Sequence, residues 1–161
     1  MDLKNSEMYL DLLSLVSIPS VSPSVKENDV VQYIYDRLMK LDYFKNNPWD
    51  LQVLPCEKDL LGRNLVFAIV RAQPATSGTI ILTGHMDVIS PDVYGKLKEW
   101  AFSPEELAIR MGEEDIDENA REDLDSGEWL FGRGVADMKA GVALCMDKLR
   151  EAARDPSALK V

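Results

Sequence analysis

Hydrophobic positions along the chain follow two rhythms. In the opening stretch Met8, Leu12, Leu15 and Val16 recur at helical spacing. They predict a helix over residues 6–16, with Asn5 or Ser6 able to cap it. The segment SIPSVSPS ends that helix, because Pro19 and Pro23 disfavour helical backbone in the residues before them. Ser24-Val25-Lys26-Glu27 has the form of a capping box, in which the serine hydroxyl bonds a downstream amide and the glutamate reaches back. Val30, Val31, Ile34, Leu38 and Leu41 then keep the same spacing, predicting a second helix at 26–43. Shorter, β-rich runs follow. Leu51–Pro55 and Asn64–Val70 read as strands, and so does Thr79–Thr83, whose unbroken apolar run predicts cover on both faces. Glu128–Phe131 offers a fourth strand. A last helix is expected from Met138 to Arg154, with Val142, Cys145, Met146, Leu149 and Ala153 inward. Helices alternating with strand-like runs indicate an α/β layered domain.

Composition narrows the partners. The 161 residues are 46% hydrophobic and 29% charged, sufficient for one soluble domain with its own core. There are 28 acidic against 18 basic residues, a formal net charge of −10. That balance disfavours a nucleic-acid partner, which needs clustered Lys and Arg. No apolar run is long enough to span a bilayer. The opening MDLKNSEMYLDLLSLVS lacks the basic start and small-residue cleavage site of a signal peptide, so a cytoplasmic location is expected. Cys56 and Cys145 form no CxxC pair, and Cys145 falls in an apolar helical pattern that suits a core residue better than a nucleophile. Residues 113–128 hold nine acids and one base and are expected to form an exposed, mobile loop. A calcium loop at Asp115–Asn119 fails at the next step, because Ala120 and Ser126 stand where Gly and Glu are needed.

Two segments carry chemistry. Gly84-His85-Met86-Asp87 follows the run TIILT and contains the sole histidine. If the strand continues, His85 and Asp87 share a face, and a carboxylate beside a ligating imidazole fixes its tautomer and orientation. Alone, His85 could equally satisfy a turn. The second segment is Gly132-Arg133-Gly134-Val135-Ala136-Asp137-Met138-Lys139-Ala140-Gly141. Asp137 precedes a helix, where it can cap amides or bind a cation. Read as a dinucleotide loop, Gly132-Arg133-Gly134 is weak, because Asp137 stands where the fingerprint needs Gly or Ala.

Together, GHMD and GEWLFGRGVADMKAG, separated by a loop containing Trp100 and Phe102, resemble the zinc-dependent metallopeptidase family of aminoacylases, carboxypeptidases, dipeptidases and succinyl-diaminopimelate desuccinylases. The resemblance is nearest to the arginine-utilisation (RocB-type) branch and covers nearly the whole chain. It implies a layered mixed β-sheet flanked by helices, the N-terminal part of a phosphorylase/hydrolase-like zinc peptidase catalytic domain. It implies that His85 is a terminal ligand of one zinc, that Asp87 holds its imidazole and that Asp137 bridges two ions. It further implies a cis Asp137–Met138 peptide. The implied reaction is hydrolysis of an amide bond in a small peptide or acylated amino acid by a metal-activated water. Cobalt and manganese suit imidazole and carboxylate ligands as well as zinc does.

The family pattern also includes a later strand with a Glu-Glu pair, one the general base and one a zinc ligand, then a further acid and a further His. These have no counterpart in residues 1–161, so the lid domain and C-terminal half are expected to be missing. Glu113-Glu114 is no substitute, since it lies in the acidic run upstream of Asp137. A catalytic zinc usually holds three protein ligands plus water, so weak metal binding and negligible hydrolysis are expected of the chain alone. The competing readings are an inactive binding module and half of an enzyme completed by a second chain. A sheet cut short also leaves an open edge that invites self-association.

Overall fold

A computed structural model describes residues 3–160. The first helix, α1, spans Glu7–Ser17, and the Ser6 side chain caps it by accepting from the Tyr9 amide at 3.2 Å. Helix α2 spans Glu27–Leu38, shorter than the pattern predicts. Leu41 is extended, and a separate short helix, α3, covers Asp42–Asn46. The break turns Phe44 into the core, where it is fully buried. Only half of the capping box forms. The Glu27 carboxylate accepts from the Ser24 amide at 3.1 Å, whereas the buried Ser24 hydroxyl has no hydrogen-bond partner among the described residues.

Strand β1 (Leu51–Pro55) pairs antiparallel with β2 (Asn64–Ala68), placing Leu51 opposite Ala68 and Val53 opposite Val66. Val66 and Ala68 pack on the core, while Leu65 and Phe67 on the alternate face remain exposed. Helices α4 (Pro104–Gly112) and α5 (Glu118–Ser126) follow, then α6 (Ala140–Arg154). The core gathers Leu15 from α1, Val30, Ile34 and Leu38 from α2, Phe44, Leu51, and Val142, Ala143, Met146 and Ala153 from α6. Burying each such side chain contributes about 1.5–3 kcal/mol for the larger aliphatics.

Three expectations need correction. The layered mixed sheet is not seen: among the described residues the sheet has two antiparallel strands, and the fold is a helical layer on that pair. Among the described residues Thr79–Thr83 pairs with no strand, and Ile80 and Ile81 are 66% and 82% exposed, not covered. Glu128–Phe131 likewise forms no strand. A β-prone run becomes a strand only when a neighbour completes its hydrogen-bond ladder, and β1 and β2 pair with each other. The acidic run 113–128 is exposed, as expected, but is not a plain loop. The Asp117 side chain accepts from the Asn119 amide to start α5, and Gly127 ends it in the left-handed region at φ 66°.

An ion-pair network ties the helices together. Asp11 of α1 is fully buried. It accepts from Tyr33 and from Arg37 Nε, each at 2.7 Å, both on α2, and from Arg150 of α6. Arg150 also holds Asp147 at 2.9 Å. Nothing in the helical pattern marked Asp11 as an inward residue.

Candidate metal centre

The segment 85–88 is pinned from the front of the chain. Val21 and Val88 form a parallel bridge, with Val88 N donating to Ser20 O and Ser22 N to Val88 O, each at 2.9 Å. The fully buried Ser20 adds a bond from its hydroxyl to Met86 O at 2.7 Å. The prolines that end α1 therefore also release a short extended segment, which supplies the partner that GHMD lacks elsewhere.

The second segment enters through Gly134, whose φ of +79° suits glycine, and where an added Cβ would lie 2.4 Å from a Val88 methyl. A π-helical turn over Val135–Lys139 follows, interrupted by non-helical backbone at Asp137 and Met138. The Asp137–Met138 peptide is cis. Lys139 is fully buried, and its ammonium donates to Leu15 O at 2.8 Å and Ile18 O at 2.7 Å, the carbonyl end of α1. A cation suits that end of a helix. The ammonium also lies 5.9 Å from the centroid of the Phe102 ring. Burial pushes Lys139 down to about 8. The motif contained this lysine, but sequence spacing gave no sign that it would fasten the turn to α1.

These anchors bring the three singled-out side chains together. His85 Nε2 stands 2.9 Å from Asp137 Oδ1. On the other side of the ring, Nδ1 lies 3.2 Å from the Asp87 carbonyl oxygen and 3.3 Å from its Oδ1. Asp87 thus meets the imidazole through backbone as well as carboxylate. Asp137 raises the His85 pKa above its ordinary value, against the opposing effect of partial burial, and Asp87 adds to the rise. All three residues line one open cavity of about 270 Å³, together with Val88, Tyr94 and Arg133.

Two donors each about 2.0–2.1 Å from a tetrahedral zinc stand about 3.3 Å apart; Nε2 and Oδ1 stand closer, at the 2.9 Å of a hydrogen bond, and would part slightly to share one ion. The chemistry of the pair fits, with an imidazole oriented from behind by a carboxylate. Among the described residues there is no group of three or more His, Cys, Asp or Glu side chains able to hold a metal by themselves. His85 and Asp137 are two groups of ligand type, fewer than the three that a zinc usually takes from protein. Glu113 and Glu114 lie outside the cavity. No helix among the described residues is long and apolar enough to cross a membrane.

Protein RocB of Bacillus subtilis is 34% identical over 139 residues, 84% of this chain but 24% of its own length. The uncharacterized protein YqjN of the same organism is 35% identical over 148 residues, 91% of this chain and 26% of its own. A succinyl-diaminopimelate desuccinylase of Wolbachia pipientis is 30% identical over 129 residues, 80% of this chain and 24% of its own. The chain thus spans about a quarter of the length of the curated relatives it matches. No protein-family model matches the chain, and no solved structure matches it.

Proposed function

The chain belongs to the zinc-dependent metallopeptidase family of aminoacylases, carboxypeptidases and succinyl-diaminopimelate desuccinylases, and from that premise we propose that it carries one half of a two-zinc amide-hydrolysing centre. The observation that carries this reading is the 2.9 Å approach of His85 Nε2 to Asp137 Oδ1, with Asp87 against the far ring nitrogen. His85 would be a terminal ligand of one ion and Asp137 the bridge between two. Asp87 would keep the imidazole neutral at Nε2 and turned toward the metal, by accepting the Nδ1 proton. Lys139 and the Ser20 bond would hold the two loops at a fixed separation. A bound zinc lowers the pKa of its water and polarises a carbonyl.

The reaction proposed for the complete protein is hydrolysis of an amide bond in a small peptide or acylated amino acid. Two relatives support it by name: a desuccinylase, and the N-formyl-4-amino-5-aminomethyl-2-methylpyrimidine deformylase of Halalkalibacterium halodurans, each named for removing an acyl group. The resemblance of the motifs to the arginine-utilisation branch directs the proposal toward arginine-related substrates. The general base and the other ligands would come from beyond these residues, on the same chain or a second one. The exposed run around Ile81 and the outer face of β2 would then be the surface on which that portion, or a second copy, is received.

Calorimetric titration of the 161-residue chain with zinc at neutral pH tests the reading. Weak binding is expected, lost in His85→Ala and Asp137→Asn. Zinc binding that both variants leave unchanged would remove the assignment.

A further inference from the structure

The contact of His85 with Asp137 has a twin, made by their neighbours in sequence. Met138 follows Asp137, Gly84 precedes His85, and the end of the methionine side chain packs on the glycine. A Cβ added at Gly84 would lie 3.1 Å from the Met138 methyl and 3.6 Å from its sulfur. Gly141, the second residue of α6, approaches the same methyl, and a Cβ there would lie 2.8 Å from it. The methyl thus occupies a slot between two glycines, where neither backbone carries a side-chain carbon. Val142 would meet a Gly84 Cβ at 3.3 Å, and Met138 itself packs against the core to which Val142 belongs.

The slot bears on Asp137 because that side chain is 89% exposed, so packing around the carboxylate does not fix where it points. The backbone at Asp137 and Met138 leaves the helical path, and the direction of the carboxylate follows from where the next residue is held. Lys139 anchors the far end of the turn to α1. Met138 anchors the near end, against the segment that carries His85. An unbranched thioether suits this place, since it fills a narrow gap with a small, adaptable end. Within α6 a glycine is otherwise a cost, because alanine favours helix. What Gly141 provides in return is room for the methyl.

We propose that Met138 is the positioning residue of the His85–Asp137 pair, its methyl keyed between Gly84 and Gly141 so that the two loops meet in one register. Its consequence for metal affinity rests on the amide-hydrolase reading, whereas the coupling itself belongs to the metal-free pair. A methyl added at either glycine presses on the far end of a flexible side chain. The crowding is relieved by moving Met138, and the carboxylate beside it, more readily than by moving α6. Such a change disturbs the site more than the fold. With the methionine cut back to alanine, the added carbon at position 141 would lie 3.9 Å from its Cβ, an ordinary contact.

A double-mutant cycle on the 161-residue chain is the test. Calorimetry reads zinc affinity, the His85 ring resonances of metal-free protein at one pH read the pair, and thermal melts read the fold. Gly141→Ala is expected to weaken zinc binding about tenfold and to displace the His85 resonances. Its melting midpoint should stay within about 3 °C of wild type, because helix preference offsets the crowding. Met138→Ala should weaken zinc binding to a similar extent. In the Met138→Ala background, Gly141→Ala should change neither zinc affinity nor the resonances. A Gly141→Ala chain that matches wild type in both readouts overturns the proposal, as does a loss of equal size in both backgrounds. Should Gly141→Ala fail to fold, Gly84→Ala, which meets the same methyl from the other loop, takes its place in the cycle. Met138→Leu, which withdraws the terminal methyl, replaces Met138→Ala should that variant not fold. If the wild-type chain takes up no zinc, the metal centre falls and the ring resonances alone decide the positioning role. Zinc binding with an additive cycle removes the positioning role and leaves the metal centre standing.

Discussion

His85 and Asp137 are 52 residues apart in sequence, and their side chains meet at 2.9 Å. The contact is built by backbone further back: Ser20 and Ser22 fix the segment of His85, and Lys139 fixes the turn of Asp137. Its first measurable consequence is electrostatic. His85 is the sole histidine, so its ring protons give one unambiguous NMR titration. In metal-free protein its pKa is expected above the ordinary imidazole value, mainly through Asp137. Asp137→Asn should bring it down. Because the folded-state value is raised, the stability this pair supplies is fully present below the unfolded-state pKa and is lost as pH rises through the folded one. Urea midpoints measured across that window should therefore fall with pH in the wild type and fall less in Asp137→Asn. A His85 pKa below the ordinary value would contradict the geometry.

Asp11 is expected to be the most sensitive polar position in the fold. Asp11→Ala leaves the buried Arg150 and the half-buried Arg37 without their shared carboxylate. Breaking a buried pair in this way costs about 3–5 kcal/mol. Chemical denaturation should show that loss, or a chain that no longer folds cooperatively. A loss under about 1 kcal/mol would place the network among surface ion pairs.

Gly134→Ala combines two penalties. The position has a φ of +79°, and the new methyl would press on Val88 at 2.4 Å. A cost of about 1–3 kcal/mol is expected from overpacking and strain. The displaced Val88 adjoins Asp87, so zinc affinity should weaken alongside the thermal midpoint. Unchanged affinity with a lowered midpoint would separate the loop's packing from the His85–Asp137 pair.

The exposed run Ile80-Ile81-Leu82 is expected to drive association of the isolated chain, since unpaired apolar strand-like segments are templates for pairing. Ile81→Lys should lower the apparent mass in sedimentation velocity at high protein concentration. A monomeric wild type under the same conditions would show that the run is harmless.

The helices and the meeting of the three candidate side chains were legible in the sequence for different reasons. Helix α1, its Ser6 cap and strand β1 follow from local spacing and turn chemistry, which act over a few residues. His85, Asp87 and Asp137 were legible because two short motifs each placed a ligand type beside a turn. Leu41 was misread because burial of Phe44 by a helix break leaves no mark in a continuing apolar period. Thr79–Thr83 was misread because composition reports a tendency to be a strand, while the ladder needs a partner segment. Asp11 and Lys139 were invisible for a related reason. Their burial depends on Arg150 and on the carbonyls of Leu15 and Ile18, residues far away in the chain.

That last attachment makes the beginning of the polypeptide and its aspartate turn a single mechanical part. The terminal turn of α1 cannot fray without stranding a buried ammonium, so the two regions should open together or not at all. In hydrogen exchange, amides of that turn and of residues 138–140 should share one opening free energy, even though they sit at opposite ends of the sequence. A protease nick beside Pro19 would accordingly be read out at the far carboxylate, as slack in its hold on the imidazole.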